Sequence, residues 1–71
     1  MPDVLAPITG LIWKIRVEQG DEVAVEQVVV VIESMKLEIP VESEHAGVVT
    51  RIAVAEGDAV SEGDVLIELM D

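Results

Sequence analysis

The chain of 71 residues contains no cysteine, which excludes disulfide bonds and thiolate metal sites and is typical of a reducing, cytoplasmic compartment. Its single histidine, His45, cannot form a metal cluster alone, and its spacing from the carboxylates indicates none. The only aromatic residue is Trp13. A folded core must therefore be built from aliphatic side chains.

Basic residues are also scarce, because four Lys and Arg stand against 15 Asp and Glu and give a net charge of −11. Such a surface repels phosphate backbones, so we expect no nucleic-acid binding. No apolar run reaches the roughly 18 residues that span a membrane, and the N-terminal segment lacks the features of a signal peptide. We expect a cytoplasmic monomer that the charge keeps soluble. Electrostatic guidance towards a basic enzyme is the alternative interpretation of that charge.

The apolar residues favour β-structure. Fourteen valines and seven isoleucines stand against five leucines, and β-branched side chains fit a pleated sheet better than a helix. No stretch shows the helical period. The composition therefore predicts an all-β protein, with residues 1–71 forming one domain.

The sequence is an internal repeat with a shift of 37 positions. The shift superimposes glycines that set backbone geometry and apolar residues that set a core, and the identical pairs are Gly10/Gly47, Ile15/Ile52, Val17/Val54, Gly20/Gly57, Asp21/Asp58, Val23/Val60 and Val28/Val65. Two similar halves of about four strands each predict an antiparallel sandwich or flattened barrel with pseudo-twofold symmetry.

Alternation of apolar and polar residues predicts which side chains face the core. In the first half one side of a strand is expected to hold Leu11, Trp13, Ile15 and Val17, with the polar side formed by Lys14, Arg16 and Glu18. This side should face the core, although for Trp13 packing on the sheet surface is the alternative. In the second half the same reasoning assigns Val48, Ile52 and Val54 to the core and Arg51 to the surface.

One segment interrupts the symmetry. Val28 to Glu33 and Leu37 to Val41 are predicted strands, so Met35-Lys36 is expected to form a tight turn between them. Symmetry places this turn at the end of the molecule opposite the chain termini. Lys36 should therefore be exposed on a stiff hairpin.

The sequence Glu-Ser-Met-Lys-Leu-Glu around this turn resembles the biotin attachment signature, and the whole chain resembles a biotinyl/lipoyl attachment domain. The resemblance implies two four-stranded antiparallel sheets and a biotin joined covalently to Lys36. It also implies that a ligase recognises the flanking residues Glu33, Ser34, Met35, Leu37 and Glu38.

The same resemblance implies a carrier rather than an enzyme. Biotin on Lys36 would take a carboxyl group at a biotin carboxylase site and deliver it at a carboxyltransferase site, after attachment by a biotin protein ligase. No nucleophile–base pair or metal-ligand constellation is visible in the sequence. Two alternatives stay open at this point. The first is a lipoyl carrier of an acyl-transfer complex, although Met35 stands where lipoyl domains more often have Asp. The second is an unmodified β-module that only binds proteins.

Overall fold

The structure is a computed structural model that describes residues 2–71, and these residues form eight β-strands without a helix. The strands are β1 (Asp3–Leu5), β2 (Gly10–Ile15), β3 (Glu22–Val23), β4 (Val28–Ser34), β5 (Leu37–Glu42), β6 (Gly47–Ile52), β7 (Ala59–Val60) and β8 (Val65–Met70). The all-β prediction is confirmed. β1 was not recognised in the sequence, since three residues are too few to show an alternating pattern.

The strands form two four-stranded antiparallel sheets. The terminal sheet has the order β1-β8-β6-β3, and the lysine sheet has the order β5-β4-β2-β7. A shift of 37 residues carries β1 to β5, β2 to β6, β3 to β7 and β4 to β8, so it exchanges the two sheets. The predicted pseudo-twofold arrangement is therefore confirmed.

Carboxylates stabilise the turns that follow the first long strand of each half. The Asp21 carboxylate accepts a hydrogen bond of 2.8 Å from the Glu18 amide, and the Asp58 carboxylate accepts one of 2.9 Å from the Ala55 amide. In each turn the backbone amide of the aspartate also donates to the carbonyl three residues earlier. The repeated Gly-Asp pairs thus act as turn residues, as the sequence predicts.

A β-bulge in β2 changes which side chains face the core. Ile12 pairs with Ile32 but Lys14 pairs with Val31, so Trp13 is an extra residue on the strand. The prediction was correct for Ile15 and Val17, which pack on the core. It was wrong for Leu11, which is 47% exposed, whereas Trp13, at 38%, takes the sheet-surface position that was the alternative for it. Ile12 is the buried residue instead, at 1%.

The second half carries the same bulge at the equivalent place. In β6, Val49 pairs with Leu69 and Arg51 with Glu68, which leaves Thr50 as the extra residue. The buried side chain is consequently Val49 and not the predicted Val48, which is only half-buried. Two bulges one repeat apart show that the duplication preserved the irregularity of the backbone as well as the core.

The core lies between the two sheets and is wholly aliphatic. Apolar burial is the main favourable term in folding, and both halves of the repeat contribute to it here. The buried cluster comprises Val4, Ala6, Ile12, Val17, Val23, Val29, Val30, Ile32, Val41, Val49, Val60, Leu66, Ile67 and Leu69. No helix in the described part of the chain has the length and apolarity to cross a membrane. Residues 2–71 also contain no group of three or more His, Asp or Glu side chains arranged for a metal ion.

The turn at Glu26 yields a test of the repeat. Glu26 has a φ of 72°, whereas Gly63 occupies the equivalent position with a φ of 92°. A left-handed conformation costs a residue with a Cβ about 1 kcal/mol. We expect Glu26→Gly to raise the free energy of unfolding by about 0.5–1 kcal/mol, measured in urea. Glu26→Ala removes the carboxylate but keeps the Cβ, so it should leave stability nearly unchanged; equal gains from both variants would contradict the explanation.

Candidate functional site

The two residues between β4 and β5 form the tip of a hairpin. The strands pair in register up to Ser34 and Leu37, which leaves Met35 and Lys36 as a two-residue loop. Their φ angles are 52° and 66°, and two positive values define a type I′ turn. The twist of such a turn matches that of the flanking strands, so the hairpin continues straight into its tip.

This turn has an unfavourable sequence for its backbone. Type I′ turns prefer Asn-Gly, because residues with larger side chains enter the left-handed region at a cost of about 1 kcal/mol or more each. The β4–β5 ladder and the buried side of β4 hold the turn in place. The Met-Lys pair therefore contributes little to the stability of the backbone at this turn.

The side chains at the tip lie in solvent. Lys36 is exposed, Met35 is 92% exposed and Leu37 is 66% exposed. The one ion pair among the described residues joins Arg51 to Glu68, so no carboxylate lies within 4.0 Å of the Lys36 ammonium group. The prediction of an exposed lysine on a hairpin tip is confirmed.

The predicted flanking residues are brought together in the last two pairs of the hairpin. Glu33 lies directly opposite Glu38, and both are exposed. Ser34 lies opposite Leu37 and is half-buried. Two carboxylates facing one another across a ladder are unfavourable, and exposure to water reduces the cost. The flanking residues thus surround Lys36, with Glu33 and Glu38 on one face of the hairpin and Ser34 and Leu37 on the other.

Gly10 is a residue of the site that sequence reasoning did not assign. It begins β2 next to β4, and a Cβ at this position would lie 2.5 Å from the Glu33 carbonyl oxygen and 2.7 Å from Cγ2 of Ile32. Only glycine permits this approach of β2 to the hairpin. The pairing of Gly10 with Gly47 in the repeat was the available signal.

The tip lies opposite the chain termini. β5 runs away from the turn and ends at Glu42, and four residues later β6 begins at Gly47. A Cβ on Gly47 would lie 2.7 Å from the Met70 carbonyl oxygen, so this end of the fold contains the C-terminal strand. The Leu69 amide donates to the Pro2 carbonyl and brings the N-terminal segment to the same end. The Lys36 turn therefore lies at the other end of β5 from the termini, in a molecule of 33 × 19 × 18 Å.

One cleft of the fold lies away from the turn. It measures about 460 Å³ between the edge strands β1 and β5 and is lined by Asp3–Pro7, Pro40–Glu42, Glu44 and His45. None of the six residues around the turn lines it. A group joined covalently to Lys36 needs no pocket, only an accessible amine on a firm support. The geometry of the tip fits such an attachment.

Comparison with known proteins agrees with this geometry. A family model described as "Biotin-requiring enzyme" matches residues 1–69, nearly the whole chain. The chain belongs to the biotin/lipoyl attachment family. Membership makes it an attachment domain rather than a catalyst in its own right, as the sequence predicts.

Three relatives illustrate the range of the family. The "Biotin/lipoyl attachment protein" of Bacillus subtilis is 45% identical over 62 residues, which cover 87% of this chain and 85% of that protein. The dihydrolipoyllysine-residue acetyltransferase component of the Azotobacter vinelandii pyruvate dehydrogenase complex is 45% identical over 60 residues, covering 84% of this chain and 9% of that protein. The crystal structure of Kluyveromyces lactis urea carboxylase aligns with a TM-score of 0.88 and 32% identity, covering 96% of this chain and 6% of the carboxylase. The chain thus corresponds to a small part of the two larger proteins.

The strain in the turn can be tested at Met35. Because asparagine enters the left-handed region more easily than methionine, Met35→Asn should raise the free energy of unfolding by about 0.5–1 kcal/mol. Met35 is almost fully exposed, so little packing is lost. Met35→Ala serves as the control, because it removes the same side chain without relieving the backbone. A stability gain in Met35→Ala equal to that in Met35→Asn would refute the strain.

The close approach at Gly10 can be tested with its repeat partner. Gly10→Ala should lower the free energy of unfolding by about 1–3 kcal/mol, because the new methyl group overlaps the Glu33 carbonyl. Its amide NMR spectrum should show shifts for residues 33–38. Gly47→Ala creates a similar overlap with Met70 at the other end and should leave those signals in place. Undisturbed signals from the hairpin in Gly10→Ala would mean that the contact does not position the tip.

Proposed function

We propose that this chain is a biotin carboxyl carrier that is biotinylated at Lys36. The observation that carries the proposal is the type I′ turn, which holds one exposed lysine at the free end of the fold. Membership of the biotin/lipoyl attachment family supports it, since the turn lies inside the matched residues. The acting unit is the entire chain, residues 1–71, as a single attachment domain.

Attachment requires an amide bond between the Nζ atom of Lys36 and the carboxyl carbon of activated biotin. The amine must lose its proton to become a nucleophile, the leaving group departs from the biotin carboxyl, and neither step is catalysed by this chain. Glu33 and Glu38 lie too openly in solvent to act as bases of their own. The contribution of the carrier is geometric, because a preordered turn lowers the entropy that its partner must remove on binding.

Biotin on Lys36 then supplies a position at which a carboxyl group can be carried. In our proposal a biotin carboxylase loads the group, a carboxyltransferase unloads it, and a biotin protein ligase attaches the biotin beforehand. The likeness to a region of a urea carboxylase supports partners of this class. The free carrier is a cytoplasmic monomer in this proposal, in agreement with its high negative charge.

Biotin is favoured over lipoate by the residue before the lysine and by the likeness to a carboxylase. Met35 occupies the position at which lipoyl domains more often have Asp. The Azotobacter vinelandii relative belongs to a lipoate-bearing class by its name, and it is the reason to keep lipoate as the second candidate. The third candidate, an unmodified binding module, requires that Lys36 carries nothing at all.

Co-expression with a biotin protein ligase or with a lipoate ligase distinguishes these candidates. We expect the intact mass of the wild-type chain to increase by one biotin, with retention on avidin, and to change little with the lipoate ligase. Lys36→Arg keeps the charge of the side chain but should abolish the increase. Lys14→Arg is the matched control and should be modified like the wild type.

Other outcomes would contradict the proposal in different ways. A lipoyl adduct without biotin would assign the chain to acyl transfer. Biotin on Lys36→Arg would place the attachment on Lys14. A chain of unchanged mass under both conditions would leave only the unmodified module.

A further inference from the structure

The outer faces of the two sheets differ although their inner faces match. On the terminal sheet the bulge residue is Thr50, whose hydroxyl donates to the Glu68 carbonyl, and Arg51 beside it forms an ion pair of 2.7 Å with Glu68. On the lysine sheet the equivalent residues are Trp13, Lys14 and Val31. The two halves therefore share the core, whereas the outer face is polar on the terminal sheet and more apolar on the lysine sheet.

We call this surface the Trp13 face; it consists of Leu11, Trp13, Lys14, Val31 and Pro40. Directly paired residues share one face of a sheet, so the register of Lys14, Val31 and Pro40 places these three together. Val31 is buried but does not belong to the core cluster, so the side chains that shield it from solvent lie on the outer side of the sheet. The Lys14 ammonium lies 5.4 Å from the centre of the Trp13 ring.

The distribution of charge on this sheet is also unusual. Arg51 is the one basic residue of the described chain in an ion pair, although the chain has 15 carboxylates. The three other basic residues lie in or beside the lysine sheet: Lys14 in β2, Arg16 just after β2, and Lys36 in the β4–β5 turn. Glu33 and Glu38 lie on the same outer face nearer the turn. The face therefore has carboxylates near the lysine and unpaired cations further along β2.

An enzyme that acts at Lys36 needs more surface than the turn provides. Specific protein interfaces generally bury several hundred Å² on each partner, with an aromatic residue at the centre and a polar rim. A two-residue turn falls short of that area. The Trp13 face begins at Leu11, directly opposite Glu33 and next to the hairpin tip, and offers an aromatic anchor with a charged border.

We propose that the Trp13 face is the docking surface for the biotin protein ligase, an inference that rests on the proposed biotinylation of Lys36. The complementary surface of the ligase has an apolar depression for the Trp13 ring. It also has carboxylates opposite Lys14 and Arg16, and basic groups opposite Glu33 and Glu38. Charge complementarity in this order fixes the orientation in which Lys36 reaches the ligase.

The ligase depends on such a face more than the carboxylase enzymes do. Its protein substrate presents a bare lysine, a residue that occurs on most protein surfaces, so selectivity must come from the polypeptide around it. An enzyme that acts after attachment can also bind the biotin itself. The Trp13 face is present before any modification, and it distinguishes Lys36 from Lys14, which stacks on the indole ring.

Steady-state kinetics of biotin transfer to the purified unmodified chain tests the proposal. Trp13→Thr introduces the residue that the terminal sheet has at this position, and Lys14→Glu reverses one charge with little effect on packing. Both should raise the KM for the carrier by about tenfold or more while kcat changes less than about twofold. Circular dichroism and urea unfolding establish that each variant is folded.

Two control variants test whether a rise in KM is specific to the Trp13 face or follows from any loss of an apolar side chain or any change of charge. Val25→Thr removes an exposed apolar side chain in a distant turn, and Arg51→Glu makes the same charge change on the terminal sheet. Both should leave the KM within about twofold of the wild type. An unchanged KM in Lys14→Glu, or an equal rise in Arg51→Glu, would overturn the assignment to this face. Wild-type chain that accepts no biotin would instead refute the proposed function, and this inference with it.

Discussion

The fold depends on packing the apolar sides of two sheets against each other, because the chain is too short to form a second core. Each sheet takes strands from both halves of the repeat: in the lysine sheet β4 and β2 of the first half lie side by side at the centre, and β5 and β7 of the second half form its edges. Neither half can therefore bury its apolar side alone, and the two must fold together. A small domain gains little from burial per residue, so this shared aliphatic core accounts for the predominance of valine and isoleucine.

The backbone conformation of the turn that holds Lys36 also depends on that core. Met35 and Lys36 both adopt backbone conformations that residues with a Cβ disfavour, and they do so because β4 is buried between β5 and β2. The close packing of β2 on β4 requires glycine at position 10, where β2 passes the Glu33 carbonyl. A firm ladder thus holds an unfavourable tip in one conformation, and a long flexible side chain extends from it. The support is rigid, while the side chain that moves between partners in the proposed function is free.

Departures from the symmetry lie at the proposed attachment site and on the outer faces of the sheets. The core positions and turn aspartates obey the repeat, and so do the bulges at Trp13 and Thr50. The hairpin tip has no counterpart, because the equivalent strand β8 ends at Met70 next to the C-terminus. The outer faces differ as well, polar on one sheet and apolar on the other. Selection for folding acts on both halves alike, whereas a partner that approaches Lys36 meets only one sheet.

Much of this protein was determined by the sequence itself. The strand class, the duplication, the Gly-Asp turns and the exposed position of Lys36 followed from residue types and spacings within short segments. The tertiary structure alone decided that Leu11 and Trp13 face outward and that Ile12 is buried, since a bulge inserts one residue that a period of two cannot reveal. It also decided that Gly10 contacts the hairpin and that Asp3–Leu5 form the strand β1. These features arise from pairing between strands far apart in the chain, and local patterns contain no record of such pairing.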